Sequence, residues 1–409
     1  MAKKVLVIRF SPIKLFVQSM AAMSAIRNKH KNDEVYLLTE ETFKSIAKPS
    51  GFFDHIIIDK KPEWYDFLGV YNIMKELKNH GFDQVYDLQN DSRSEWYFRL
   101  IGYKKPQWNS SAINWCSQAY LPPENEILHF HNFIHNQLKI AGVPAMPDID
   151  ISYIGVDKKP EELPEKYAVI CAGGNKYKQA HKWPPEQYAE IIEYLEKYFN
   201  IKSILVGDED FDYWLNKYII DNAPNASPIN IAGKTSLKDL ITLAKFAEFC
   251  LGNETAPAHI AAYTGTNTVM LCSRFSPSEY IAPLVNNLAV IEEPNLEDVT
   301  LERVSKTIEE FALIHDEKED KKEYKLMAET SEQEKSKTNQ QNQKDKDKDK
   351  DNLTEKNSTQ LQQKPQETDE DVKPDKEMIE QKEKQVEESE ESLISKLPEN
   401  LRNKITGNK

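Results

Sequence analysis

The sequence predicts an α/β protein with two doubly wound parallel sheets in succession, then a disordered charged tail. Three observations carry that prediction. Short apolar runs alternate with helix-length amphipathic stretches in two consecutive blocks, a Pro-rich and charged interval over 142–164 separates the blocks, and aromatic residues almost vanish after residue 315. A chain of 409 residues also exceeds what one hydrophobic core serves, so two domains and an extra segment are expected. The boundaries read as 1–155, 156–315 and 316–409.

In the first block KVLVIRF reads as a strand, Ser11-Pro12 as a polar turn, 16–28 as a helix and EVYLLT as the next strand. HIIIDK, a helix over 71–80 closed by Gly81, and DQVYDLQ continue the alternation. The second block restarts with YAVICAGG as a strand. An amphipathic helix PPEQYAEIIEYLEKYF follows, with proline in its first turn, and then SILVGDED, a helix around Trp214, INIAGK, SLKDLITLAKFA, EFCLGN, a short helix from Pro257, and NTVMLCS. A helix over 301–313 ends the folded part. Beyond it, 316–409 contains KDKDKDKD and a single aromatic residue, Tyr324, which is too little apolar surface to offset chain entropy.

Composition narrows the function. The net charge of −14 argues against a nucleic-acid partner, because that affinity rests on clustered Lys and Arg. Cys116, Cys171, Cys250 and Cys272 are widely spaced and lie in apolar surroundings, as buried thiols of a reducing compartment do, and they form no metal pattern. The apolar run over 5–8 is too short for a signal-peptide core, and no stretch approaches a membrane span. The expected location is the cytoplasm, with any contact at the inner membrane peripheral.

In open parallel sheets, ligands bind beyond the carboxyl ends of the strands. The richest such loop is GNETAPAHIAA, where Glu254, Thr255 and Ala256 lead into a helix whose free N–H groups and positive dipole end suit a phosphate; His259, one turn in, adds a donor. An ordinary capped helix with a satisfied histidine is the alternative. Gly173 and Gly174 end another strand. Lys178, His181 and Lys182 follow as cations for a diphosphate or as plain surface charge. Glu209, at the end of SILVGDED, suits a ribose hydroxyl or a helix start. Asp87 and Asp91, beyond a first-block strand, read either as proton acceptors or as turn formers.

GNETAPAHIAA, together with RFSPI, DLQNDSRS, HKWPPEQYAEI, INIAGKTSLKDLITLAK and SPSEYIAP in consistent order over 3–313, resembles glycosyltransferase family 9, the ADP-heptose:lipopolysaccharide heptosyltransferases. The resemblance implies the GT-B arrangement of two Rossmann-like domains, with the acceptor in the first and the nucleotide sugar in the second. It implies inverting transfer of a heptose-like sugar from an ADP-sugar to a lipid-linked saccharide at the membrane surface, without a metal or cofactor. Donor-binding positions would be Gly173, Gly174, His181, Lys182, Glu209, Glu254, Thr255, Ala256 and His259. The family carries Gly-Asp after the first strand, the Asp serving as general base, and here those positions are Lys14 and Leu15. Asp87 and Asp91 are then the candidate replacement bases. A relative that binds nucleotide or a partner without catalysing transfer is the competing class.

Overall fold

The computed structural model describes residues 2–62, 65–101, 105–123, 127–143, 145–174 and 182–313. His181, Lys178 and the segment 316–409 lie outside the described residues.

The first half runs β1 (Lys4–Ile8), α1 (Ile13–Gln18), α2 (Met20–Lys29), β2 (Glu34–Thr39), α3 (Lys44–Ala47), β3 (His55–Ile58), α4 (Phe67–His80), β4 (Gln84–Asp87), α5 (Ser92–Leu100), β5 (Gln107–Ser110), β6 (Gln118–Ala119) and α6 (Phe130–Ile140). The second half runs β7 (Tyr167–Cys171), α7 (Pro185–Phe199), β8 (Lys202–Leu205), α8 (Phe211–Asp221), β9 (Ile229–Asn230), α9 (Leu237–Lys245), β10 (Phe249–Asn253), α10 (Ala256–Tyr263), β11 (Thr268–Ser273), α11 (Ser278–Ile281), β12 (Leu288–Glu293) and α12 (Leu301–Thr307). Among the described residues no helix is long and apolar enough to cross a membrane.

Both sheets are parallel and share one topology. Their orders are β3-β2-β1-β4-β5-β6 and β12-β11-β10-β7-β8-β9, so the winding direction reverses between β1 and β4 and between β7 and β10. These two reversals open the crevices where a doubly wound sheet binds its ligands. The strands flanking them are apolar on both faces because helices cover both sides: Val5, Leu6, Val7 and Ile8 of β1 are wholly buried, as are Phe249, Cys250 and Leu251 of β10.

Three features depart from the sequence reading. The stretch 16–28 is two helices, because the chain breaks at Ser19, whose hydroxyl donates to the Leu15 carbonyl at 2.6 Å. Strands β5, β6 and β12 were not expected. In β5 the buried side chains are partly polar: Asn109 donates to the carbonyls of Gln118 and Gln137, and the Ser110 hydroxyl to Asp87, so distant hydrogen bonds replace the apolar signal. The 142–164 interval does join the halves, yet Ile151 and Ile154 are buried within it.

One apolar core runs through both halves. Phe16, Val17, Met20 and Phe43 of the first pack in the same cluster as Leu237, Ile241, Ile260 and Tyr263 of the second. Helix α1 lies on α10 and α3 on α9.

In the second half, Asn253 ties four polar groups together at the β7–β10 crevice. Its amide nitrogen donates to the carbonyls of Ala172 (2.8 Å) and Gly173 (2.9 Å). Its oxygen accepts from the Trp183 backbone (3.1 Å) and the Tyr188 hydroxyl (3.0 Å). All four partners lose their bond if the amide is removed, and each unmet buried group costs about 1–3 kcal/mol, less whatever entering water restores. Asn253→Ala is therefore expected to lower unfolding free energy by about 2–4 kcal/mol in a urea titration, and a loss under about 1 kcal/mol would contradict this account.

Candidate functional site

The carboxyl ends of β7, β8 and β10 bring Gly173, Lys182, Asp208, Glu209 and Asp212 to one crevice. The Asp212 side chain fills its floor. A Cβ placed on Gly173 would lie 2.4 Å from Asp212 Oδ1, and one on Gly207, whose φ is +152°, would lie 2.3 Å from Asp212 Cβ. Glycine at both strand ends is what admits this carboxylate. Asp212 Oδ2 accepts the Asp208 backbone N–H at 3.0 Å, while Oδ1 has no partner among the described residues. Burial pushes its carboxyl upward against the opposing pull of the Asp208 N–H, the Lys182 charge and the Gly174 N–H. Lys182 is buried with its ammonium 3.9 Å from the centre of the Phe211 ring. Burial lowers that ammonium's pKa, and Asp212 and Asp208 offset part of the shift. The result is a sheltered cation beside an acid without a direct ion pair among the described residues.

Glu209 is exposed at the start of α8, and the capping duty weighed for it falls to its neighbour: Asp208 Oδ1 accepts from Phe211 N at 2.9 Å and Asp212 N at 3.3 Å. Gly174 follows Gly173 at the edge of the described chain. Asp212 was missed in the sequence reading. Its only signal is its place in the acidic run Asp208-Glu209-Asp210-Phe211-Asp212.

The N-cap position of α10 lies two residues after Asn253, which is bonded to Gly173 and to the backbone of Trp183. Thr255 is the N-cap residue, and its carbonyl accepts from His259 N at 3.1 Å, but its side chain makes no cap bond; the hydroxyl is buried without a partner, and Pro257 removes one backbone donor. Ala256 is half-buried beside it. Glu254 does not face outward as a cap. Its side chain is 4% exposed and accepts from His259 Nε2 at 2.6 Å and from Lys14 Nζ at 2.9 and 3.0 Å. Burial alone would raise the Glu254 carboxyl, but His259 and Lys14 together hold it below its ordinary range.

The expectation that His259 donates to a phosphate is corrected. The ring is wholly buried and both nitrogens are engaged, Nε2 with Glu254 and Nδ1 with the Gln18 amide nitrogen at 3.1 Å. Since an amide nitrogen only donates, Nδ1 accepts, and the ring carries its hydrogen on Nε2. Gln18 Nε2 also donates to the Ile281 carbonyl at 2.7 Å, so the chain Lys14–Glu254–His259–Gln18 crosses between the halves. Neither Lys14 nor Gln18 was legible as a partner, because 240 and 241 residues separate them from theirs.

At the β1–β4 crevice the two replacement bases are corrected as well. Asp87 is wholly buried and accepts from Gln89 N (3.1 Å), Asn90 N (2.9 Å) and the Ser110 hydroxyl (2.8 Å), with burial pushing its carboxyl up to about 6. Asp91 caps α5, accepting from Arg93 N and Ser94 N in a reciprocal capping box, and takes the Gln89 amide on its other oxygen. Both carboxylates build the turn: Asp87 is buried with both oxygens engaged, and half-buried Asp91 holds the α5 start with one oxygen and a single amide hydrogen with the other. Leu15 is half-buried on α1. Arg9, given no role in the sequence reading, is 2% exposed, with Nη1 donating to the Leu88 carbonyl at 2.7 Å and Cζ 5.5 Å from the Phe130 ring centre. Burial lowers it to about 10 against the pull of Asp87 and Asp91. Among the described residues, no His, Cys, Asp or Glu cluster has metal-holding geometry.

The family model of glycosyltransferase family 9 (heptosyltransferase) matches residues 70–310. The chain belongs to this family. Among curated relatives it is 24% identical to lipopolysaccharide heptosyltransferase 1 of Campylobacter coli over 284 residues, covering 63% of this chain and 80% of the relative. It is 24% identical to the lipopolysaccharide core heptosyltransferase OpsX of Haemophilus influenzae over 306 residues, covering 71% and 85%. Among solved structures, a family 9 glycosyltransferase of Veillonella parvula aligns with a TM-score of 0.66 at 16% identity, covering 76% of this chain and 98% of that one. The Escherichia coli heptosyltransferase WaaC with ADP aligns with a TM-score of 0.61 at 17% identity, covering 76% and 100%. The paired sheets are the GT-B arrangement these family members share.

The buried imidazole gives this family 9 site a pH signature. Burial, only partly offset by Glu254, holds His259 below its ordinary value of 6.5. The unfolded chain therefore takes up this proton first on acidification. The residue's contribution to stability is complete above about 6.5 and is lost as pH falls toward the folded value. His259→Gln is expected to lose less unfolding free energy than wild type between about pH 7.5 and about pH 5.5 in urea titrations. Equal losses would mean that the fold leaves the ring's pKa unshifted, and a smaller loss in wild type would mean that the folded protein favours the charged ring.

Proposed function

We propose that the protein transfers a heptose-like sugar from an ADP-sugar to the lipopolysaccharide core or a related lipid-linked saccharide at the membrane surface. The observation that carries this reading is the β7–β10 crevice, where the α10 start with its unpartnered Thr255 hydroxyl, the sheltered Lys182 and the exposed Glu209 surround the position a nucleotide diphosphate takes in a doubly wound sheet. Family membership and the names of the curated relatives support the sugar and the acceptor.

In this reading the α10 dipole and Lys182 receive the negative charge that grows on the diphosphate as its bond to the anomeric carbon breaks. Glu209 accepts from a ribose hydroxyl. The acceptor hydroxyl attacks in line from the first half's side, which inverts the anomeric centre, and ADP leaves. The charge on the leaving group is met by residues of the chain, so the scheme is independent of a metal. The hydroxyl's proton is the weak point. Leu15 occupies the position of the family's base, and Asp87 and Asp91 are committed to the β4–α5 turn. A positioned general base is typically worth about 10²–10⁴ in rate, so slow turnover follows.

The test joins calorimetric titration with ADP to product analysis with ADP-heptose and a truncated lipopolysaccharide acceptor. Wild type is expected to bind ADP and transfer slowly, and Leu15→Asp to transfer at least about tenfold faster. No ADP binding would sink the donor reading. ADP binding without transfer by either protein would favour a nucleotide-binding relative that has lost the reaction. A fast wild type that Leu15→Asp does not accelerate would assign the proton to another residue.

A further inference from the structure

Lys14 belongs to the first half by sequence and to the second half's ligand crevice by position. It sits on α1, which packs on α10, and its ammonium lies 2.9 and 3.0 Å from the two oxygens of Glu254, the residue just before the Thr255 cap. The partners are unequal. Glu254 is 4% exposed and anchored from behind by His259, whereas Lys14 is 29% exposed. An ammonium carries three hydrogens, and two of them serve the Glu254 carboxylate. The third is not needed by either oxygen, the Lys14 side chain keeps partial exposure, and Glu254 immediately precedes the N-cap whose own hydroxyl lacks a partner.

Charge sharpens the argument. A carboxylate adjoining an anion-binding helix start would repel a diphosphate, and at about 4 Å that repulsion is substantial where water is excluded. Lys14 cancels it and leaves a donor over. Pro257 contributes no N–H, so the helix start is one backbone donor short of the usual set, which raises the value of a side-chain cation there.

We propose that Lys14 is a donor-site residue: held by Glu254, its ammonium gives its remaining hydrogen to a phosphate oxygen of the nucleotide diphosphate, so that the first half supplies a cation to the second half's ligand. This rests on the ADP-sugar reading above and names a residue that reading does not include. It also gives the Lys14–Glu254–His259–Gln18 chain a purpose. His259 and Gln18 act as positioning residues, fixing the Glu254 carboxylate and through it the ammonium.

The test is calorimetry on the full chain with ADP and with adenosine, at low and high salt. Lys14→Met is expected to weaken ADP about tenfold, the loss of one charge-assisted hydrogen bond, to leave adenosine unchanged, and to flatten the salt dependence of ADP binding. Lys14→Arg should retain most of the affinity, and Lys14→Gln replaces the Met variant should that one not fold. Unchanged ADP affinity in Lys14→Met while wild type binds overturns this inference alone. Equal losses for adenosine and ADP would reduce Lys14 to an ordinary structural ion pair and overturn it too. Recovery of wild-type affinity in the Lys14→Met/Glu254→Gln double variant would mean that Lys14 only neutralises Glu254, with no phosphate contact. Absence of ADP binding by wild type removes this inference together with the donor reading.

Discussion

A primary amide has two hydrogens and two acceptor directions, and the second half of this protein uses all four on Asn253. The donors close the end of β7 onto the end of β10, where the sheet's winding reverses, and the acceptor holds the Trp183 backbone and the Tyr188 hydroxyl over the same point. Trp183 in turn donates its indole N–H to the Val299 carbonyl at 2.9 Å, which brings in the chain just before α12. The β7–β10 crevice therefore has a rigid edge before any ligand chemistry is considered. Gly173 and the Lys182 backbone are placed by it, and Glu254 follows directly in the chain.

The two crevices use their acidic residues in opposite ways. In the first half Asp87 and Asp91 are spent on backbone N–H groups, the ordinary use of Asp after a strand. In the second half Asp212 keeps one buried oxygen without a described partner, and Glu254 holds a cation at the helix start. At the second half's crevice the polar atoms left without a described partner include Asp212 Oδ1 and the Thr255 hydroxyl. The first half's crevice keeps its acidic residues in the turn, and residue 15 on α1 is a half-buried leucine.

What was legible in the sequence follows from burial. Strands covered on both faces, such as β1, β7 and β10, carry continuous apolar runs, Val5 to Ile8, Tyr167 to Cys171 and Phe249 to Leu251, and stand out from their surroundings. The carboxyl-end rule then pointed to Gly173, Lys182 and the Glu254 turn without any coordinates. Strand β5 was illegible because Asn109 and Ser110 are buried through hydrogen bonds to Gln137, Gln118 and Asp87, and periodicity carries no trace of those partners. His259 misled for a related reason. A histidine one turn into an anion-binding helix is read as pointing at the ligand, and its actual partners, Glu254 and Gln18, are set by helix packing across the halves.

The apolar cluster shared by Phe16, Met20, Phe43, Leu237, Ile241 and Ile260 bears on how this architecture can be recombined. In a two-sheet enzyme it is natural to treat the halves as exchangeable parts and to seek a new donor preference by grafting a relative's second half onto this first one. Here a junction near residue 155 would cut between the surfaces of a single core. It would also strand the Gln18 and His129 side chains that donate to the Ile281 and Ala282 carbonyls at 2.7 and 2.9 Å. A viable chimera of this fold has to carry α1 and the start of α6 along with the second half, so the unit that recombines does not coincide with the unit that the sheet topology suggests.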